Sequence, residues 1–82
     1  MPERYMKEVI LKTPTKDVVE ASIAHWHFEE GDKVEKGQDL VEINCDGAMY
    51  NLPAPATGTL IEVYFESGEV VEVGDVIAAI EE

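Results

Sequence analysis

The sequence predicts an all-β domain, a sandwich or flattened barrel of short strands. Three observations predict it. Strand-forming residues come in short runs; glycines punctuate those runs at regular intervals; and part of the chain repeats itself at an offset of 37 residues. No stretch of helix length carries apolar residues at i, i+3, i+4 and i+7 without a glycine breaking it.

At 82 residues the chain has room for one domain. We draw it from residue 8 to 82, with residues 1–7 as an N-terminal extension. Hydrophobic residues make up 45%, enough for a core. The net charge of −12 excludes binding to nucleic-acid phosphates by charge neutralisation and argues against anionic membrane surfaces. All six basic residues (Arg4, Lys7, Lys12, Lys16, Lys33 and Lys36) precede residue 37, so the chain from Glu42 onward is purely acidic. That half is a solubilising surface or a face that meets a basic partner. No apolar run is long enough to span a bilayer, and no secretory signal is visible at the N-terminus. Cys45 is the single cysteine and has no partner for an internal disulfide. A reducing compartment, most simply the cytoplasm, is the expected location.

The first copy of the repeat opens with Val18, Val19, Ile23, Trp26 and Phe28, β-formers at short spacing. Apolar parity shifts between Ile23 and Trp26, and again between Leu60 and Val63 in the second copy. A strand that changes parity has a bulge or passes from one sheet to another. Gly31 and Gly37 then mark turns around the lone apolar anchor Val34, as Gly68 and Gly74 do around Val71. Phe28, Glu29, Glu35 and Ile43 fall on Phe65, Glu66, Glu72 and Ile80, giving seven identities in 21 positions with the two glycine pairs and the valines. One supersecondary unit is therefore used twice, and two copies suit a closed, pseudo-symmetric domain. Between the copies Asp46-Gly47, flanked by β-formers, predicts a tight type I′ hairpin. Pro53 and Pro55 cannot donate to a ladder, so that segment is an edge or crossover, with Ala54, Ala56 and Gly58 small enough for close packing beneath it.

These motifs, read in order, resemble a lipoyl domain. They are Gly31-Asp32-Lys33-Val34, Gly37-Gln38-Asp39-Leu40, Asp46-x-Ala48, Leu52-Pro53-Ala54-Pro55-Ala56-x-Gly58-Thr59 and Gly68-x-x-Val71-x-x-Gly74-Asp75. The lipoyl domain is the swinging-arm module of the acyltransferase component of 2-oxo acid dehydrogenase complexes, and biotinyl carrier domains share its fold. The resemblance covers about residues 8–81. It implies a barrel-sandwich hybrid of two four-stranded antiparallel sheets with quasi-twofold symmetry. It also implies a hairpin tip that displays a modified lysine, far from the chain termini. The family tip is Asp-Lys-Ala; here it is Asp46-Gly47-Ala48. Lipoate and biotin are joined to a lysine amine as an amide, and Gly47 has no side chain. Lys33 and Lys36 belong to another turn, and Lys12 and Lys16 to the N-terminal part. The chain as written is therefore expected to carry neither cofactor.

Other candidates are weaker. His25 and His27 flank Trp26, share a strand face and, with Glu29, have spacing compatible with a metal. The plainer reading is an outer strand face with Trp26 turned inward, and no metal is expected. Cys45 beside the tip is a substitute carrier thiol or a small strand residue; its acidic neighbours Glu42 and Asp46 disfavour a thiolate. Met49, Tyr50 and Leu52 are an exposed apolar edge or the core face of their strand. By the resemblance, the loop Leu11–Asp17 sits beside the tip, where partner enzymes read the domain. Here it is basic and lacks the family's glycine. No catalytic residues are expected: no nucleophile–base pair or phosphate-binding loop is present. The expected function is a carrier-type module that docks on decarboxylase or dihydrolipoyl dehydrogenase subunits and is monomeric when isolated. The alternative is an interaction module that reuses the scaffold.

Overall fold

In the computed structural model, which describes residues 5–13 and 17–82, eight strands form two four-stranded antiparallel sheets. They are β1 (Met6–Ile10), β2 (Glu20–Trp26), β3 (Lys33–Val34), β4 (Asp39–Cys45), β5 (Ala48–Pro53), β6 (Gly58–Val63), β7 (Val70–Glu72) and β8 (Val76–Glu81). One sheet has the order β1-β8-β6-β3, the other β5-β4-β2-β7. The fold is all-β, with no helix among the described residues. β1 begins at Met6, two residues before the boundary drawn from the sequence.

The repeat is physical. An offset of 37 carries β2, β3 and β4 onto β6, β7 and β8. The connecting hydrogen bonds follow the same rule. Gly31 N donates to Leu60 O, and Gly68 N to Ile23 O. Leu60 N donates to Asp32 O, and Ile23 N to Glu69 O. These bonds cross between copies, because β3 of the first half pairs with β6 and β7 of the second half pairs with β2. Each half lends its short strand to the other's sheet.

The parity shifts appear as bulges at matching positions. The β2–β4 register slips between Ile23 and His25, and the β6–β8 register between Leu60 and Glu62. A bulge twists its strand strongly, which lets Ile23 and Leu60 stay in the core while the later residues turn to another face. Five turn glycines, among them Gly31 (φ 98°) and Gly68 (φ 93°), adopt the left-handed region that glycine enters without strain.

The core lies between the sheets. Ile23, Val34, Leu40, Ile43 and Val71 from the sequence reading are essentially inaccessible, together with Leu60, Ile77 and Ile80. Burying such side chains contributes roughly 1.5–3 kcal/mol each. Trp26 turns partly inward, and its indole N–H donates to the Phe65 carbonyl at 2.8 Å. That bond ties the end of the first strand to the equivalent point of the second copy. Two positions depart from the sequence reading. Val19 lies outside β2 and is 72% exposed, while Leu11, read as a loop residue, is a core side chain at 1%. Leu11 is held by reciprocal backbone bonds: its N–H donates to Asp75 O, and Gly74 N donates to its carbonyl. Ala54 occupies the matching place, with its N–H on Gln38 O and its carbonyl on Gly37 N.

Candidate functional site at the β4–β5 hairpin

Cys45 and Ala48 close the hairpin, leaving two residues in the connection. Asp46 has φ 55° and Gly47 φ 87°, both left-handed as a type I′ turn requires. The twist of such a turn matches that of the flanking strands, so the register stays regular from Cys45↔Ala48 through Val41↔Leu52. Gly47 N–H donates to Asn44 Oδ1 at 2.9 Å, an internal brace across the turn. Replacing Asn44 by alanine removes that bond. We expect a loss of about 1 kcal/mol in denaturant unfolding, with the hairpin amides exchanging faster.

The crown stands free. Asp46, Gly47 and Ala48 are exposed, and a Cβ built on Gly47 meets no atom within 4 Å. Beside it runs an open cleft of about 430 Å³ between the hairpin and residues 17–22. Asp17, Glu20 and Asp46 supply its charge, and no basic side chain among the described residues lines it. Val19 and Val70 (60% exposed) add apolar surface. Met49 continues that surface at 48% exposed and Tyr50 is at the margin, whereas Leu52 packs against the core. The strand expected to be either edge or core is thus apolar surface near the tip and core at its far end.

The loop read as basic and adjacent to the tip divides. Asp17 lines the cleft at the crown, but Lys12 lies in a different depression, beside Lys36. Pro14, Thr15 and Lys16 lie outside the described residues.

Cys45 is a core side chain, 4% exposed. Its thiol faces the sandwich interior, not the tip surface, so it is not presented to a substrate. We expect Cys45 to resist a thiol reagent such as Ellman's in the native protein and to react fully once denatured; rapid native reaction would show the hairpin base opening. His25 on β2 and His27, just past its end, are both exposed, with ring centroids 5.2 Å apart in an edge-to-face arrangement. His27 Nε2 lies 2.8 Å from Asn51 Oδ1 on β5. No cluster of three or more potential metal ligands occurs among the described residues.

The fold is thus a two-sheet sandwich with quasi-twofold symmetry whose β4–β5 turn is exposed to solvent. The family model described as "Biotin-requiring enzyme" matches residues 7–80, and the chain belongs to this family of biotinyl- and lipoyl-attachment domains. It is 36% identical over 77 residues to the dihydrolipoyllysine-residue succinyltransferase component of the 2-oxoglutarate dehydrogenase complex of Bacillus subtilis (strain 168). That match covers 94% of this chain and 18% of the relative. It is 38% identical over 61 residues to the dihydrolipoyllysine-residue acetyltransferase component of the pyruvate dehydrogenase complex of Acholeplasma laidlawii, covering 74% of this chain and 11% of that one. The chain thus spans less than a fifth of the length of these curated relatives. Its fold is similar to the solution structure of the lipoyl domain of the 2-oxoglutarate dehydrogenase complex from Azotobacter vinelandii. There the TM-score is 0.75 at 23% identity, over 92% of this chain and 95% of the other.

The residues at the crown do not fit the family's prosthetic groups. Amide attachment needs an amine at the apex, and the apex is Gly47. Among the described lysines, Lys33 lies on β3 at the edge of the other sheet, and Lys7, Lys12 and Lys36 surround the separate depression. None lines the tip cleft.

Proposed function

We propose that this chain is a lipoyl-type module of a 2-oxo acid dehydrogenase acyltransferase that bears no prosthetic group and acts by docking on partner subunits. The observation that carries the reading is an intact type I′ crown with glycine at the apex. The relatives named above, components of pyruvate and 2-oxoglutarate dehydrogenase complexes, support the choice of assembly. The decarboxylase or the dihydrolipoyl dehydrogenase is the partner in this reading. The module is non-catalytic, monomeric when isolated, and cytoplasmic, a location in keeping with its buried free thiol.

The test has two parts. Incubated with a lipoate ligase, ATP and lipoate, or with a biotin ligase and its substrates, the purified domain keeps its unmodified intact mass. Titrated with decarboxylase or dihydrolipoyl dehydrogenase subunits from its own source, it binds at least one of them. A mass increase of one lipoyl or biotinyl group sinks the first half of the reading. The acid-lined tip supports a second reading, an interaction module outside acyl transfer. That reading prevails if neither enzyme binds.

A further inference from the structure

A second surface stands apart from the crown. A cavity of about 410 Å³ opens between β1 and the end of β5, the edge strands of the two sheets. Its floor is apolar, with Val9, Leu52 and Pro55 among the lining residues. Lys7, Lys12 and Lys36 line it as well. These are three of the four lysines among the described residues, and Glu8 is the one acid among the described lining residues. In a chain of net charge −12, this is where positive charge converges on an apolar floor.

Among the described residues, no strand pairs with the outer edge of β1 beside the cavity. Glu82 N donates to Tyr5 O, so Tyr5 faces β8. Along an antiparallel ladder the facing alternates, so Lys7 and Val9 also face β8. The N–H and C=O groups of Met6 and Glu8 therefore point away from the sheet. Across the cavity Pro53 and Pro55 have no N–H to offer, which leaves β1 as the edge able to accept a strand. Lysine on an edge strand discourages pairing with neutral or basic strands. It favours a strand that brings carboxylates.

We propose that this groove docks an extended acidic–apolar peptide segment of a partner protein. The segment adds to the free edge of β1, lays its apolar side chains over Val9, Leu52 and Pro55, and sets its carboxylates against Lys7, Lys12 and Lys36. A second copy of this chain is a poor occupant, since two such copies bring −24 (twice −12) together. The proposal does not depend on the domain's role in acyl transfer.

The test uses random heptapeptides displayed on phage and selected on the whole domain, followed by titration of the selected peptides into ¹⁵N-labelled protein. The selected sequences combine acidic and apolar residues, and amide shifts move at residues 6–10, 36–37, 52 and 54. Reversing one lysine (Lys7→Glu, Lys12→Glu or Lys36→Glu) weakens binding about threefold, and the triple variant at least about tenfold. All three side chains are exposed, so the melting temperature of each variant should match the parent's and losses report the groove. Any of these results overturns the proposal: no enrichment; shifts confined to residues 17–22 and 46–47; unchanged affinity in the triple variant; or displacement of the peptide by hexanoate at equal concentration, which makes the groove a small-amphiphile pocket. A concentration-dependent doubling of mass blocked by Lys7→Glu also overturns it, in favour of a second copy.

Discussion

The Gly47→Lys variant takes up one lipoyl group per chain from a lipoate ligase and its substrates, while the parent takes up none; intact mass gives the measurement. The backbone is already in place. Position 47 is left-handed, hydrogen-bonded through its N–H to Asn44, and open to solvent on its side-chain side. Asp46 and Ala48 already flank it as in the family tip. A lysine at φ 87° pays roughly 1–2 kcal/mol of steric strain that glycine avoids. For a domain this small that lowers the melting temperature by about 4–8 °C per kcal/mol, which leaves a folded protein if the parent has ordinary stability. The outcome is all or none, so it separates two causes of an unmodified parent. If the folded variant also stays unmodified, the missing amine is not the only obstacle. The acidic cleft formed with Asp17 and Glu20 is then the next feature to exchange.

Gly58→Ala unfolds more easily than any substitution at the turn glycines. Gly58 opens β6 at the place where that strand meets the end of β8. A Cβ there would sit 2.2 Å from the Glu81 carbonyl oxygen and 3.0 Å from an Ile80 side-chain carbon. The first neighbour is backbone and cannot swing aside, so β6 and β8 must part. Forced overpacking of this kind costs about 3 kcal/mol, or roughly 15 °C in melting temperature. Gly37→Ala is the comparison. It meets nothing within 4 Å and suffers only from its φ of 93°, so about 1–2 kcal/mol is lost. If the two variants melt together, backbone conformation and not crowding governs both sites.

The duplicated architecture was legible because its signals are local. Glycines at 31, 37, 68 and 74, single valines at 34 and 71, and a parity shift near Ile23 and Leu60 are set by turn geometry and by the two-residue period of a strand. The hairpin at Asp46-Gly47 was legible for the same reason. Leu11 was not, because its burial follows from backbone bonds to Gly74 and Asp75, more than 60 residues away. The start of β1 at Met6 escaped notice likewise: exposed Met6, Lys7 and Glu8 are strand only because β8 pairs with them. Nor could sequence order show that Lys7, Lys12 and Lys36 line one groove, or that Cys45 turns inward while Met49, four residues on, faces solvent. Those facts depend on which edges the two sheets bring together.

The exchange of β3 and β7 between the halves has a consequence for how such a molecule can be divided. A lone repeat cannot satisfy its own β2 or β6, since the strand that completes each belongs to the other copy. Cut at the crown, the two fragments are each incomplete, yet mixing them restores every missing neighbour. One gene holding both copies thus replaces what separate chains would have to achieve by finding each other in solution.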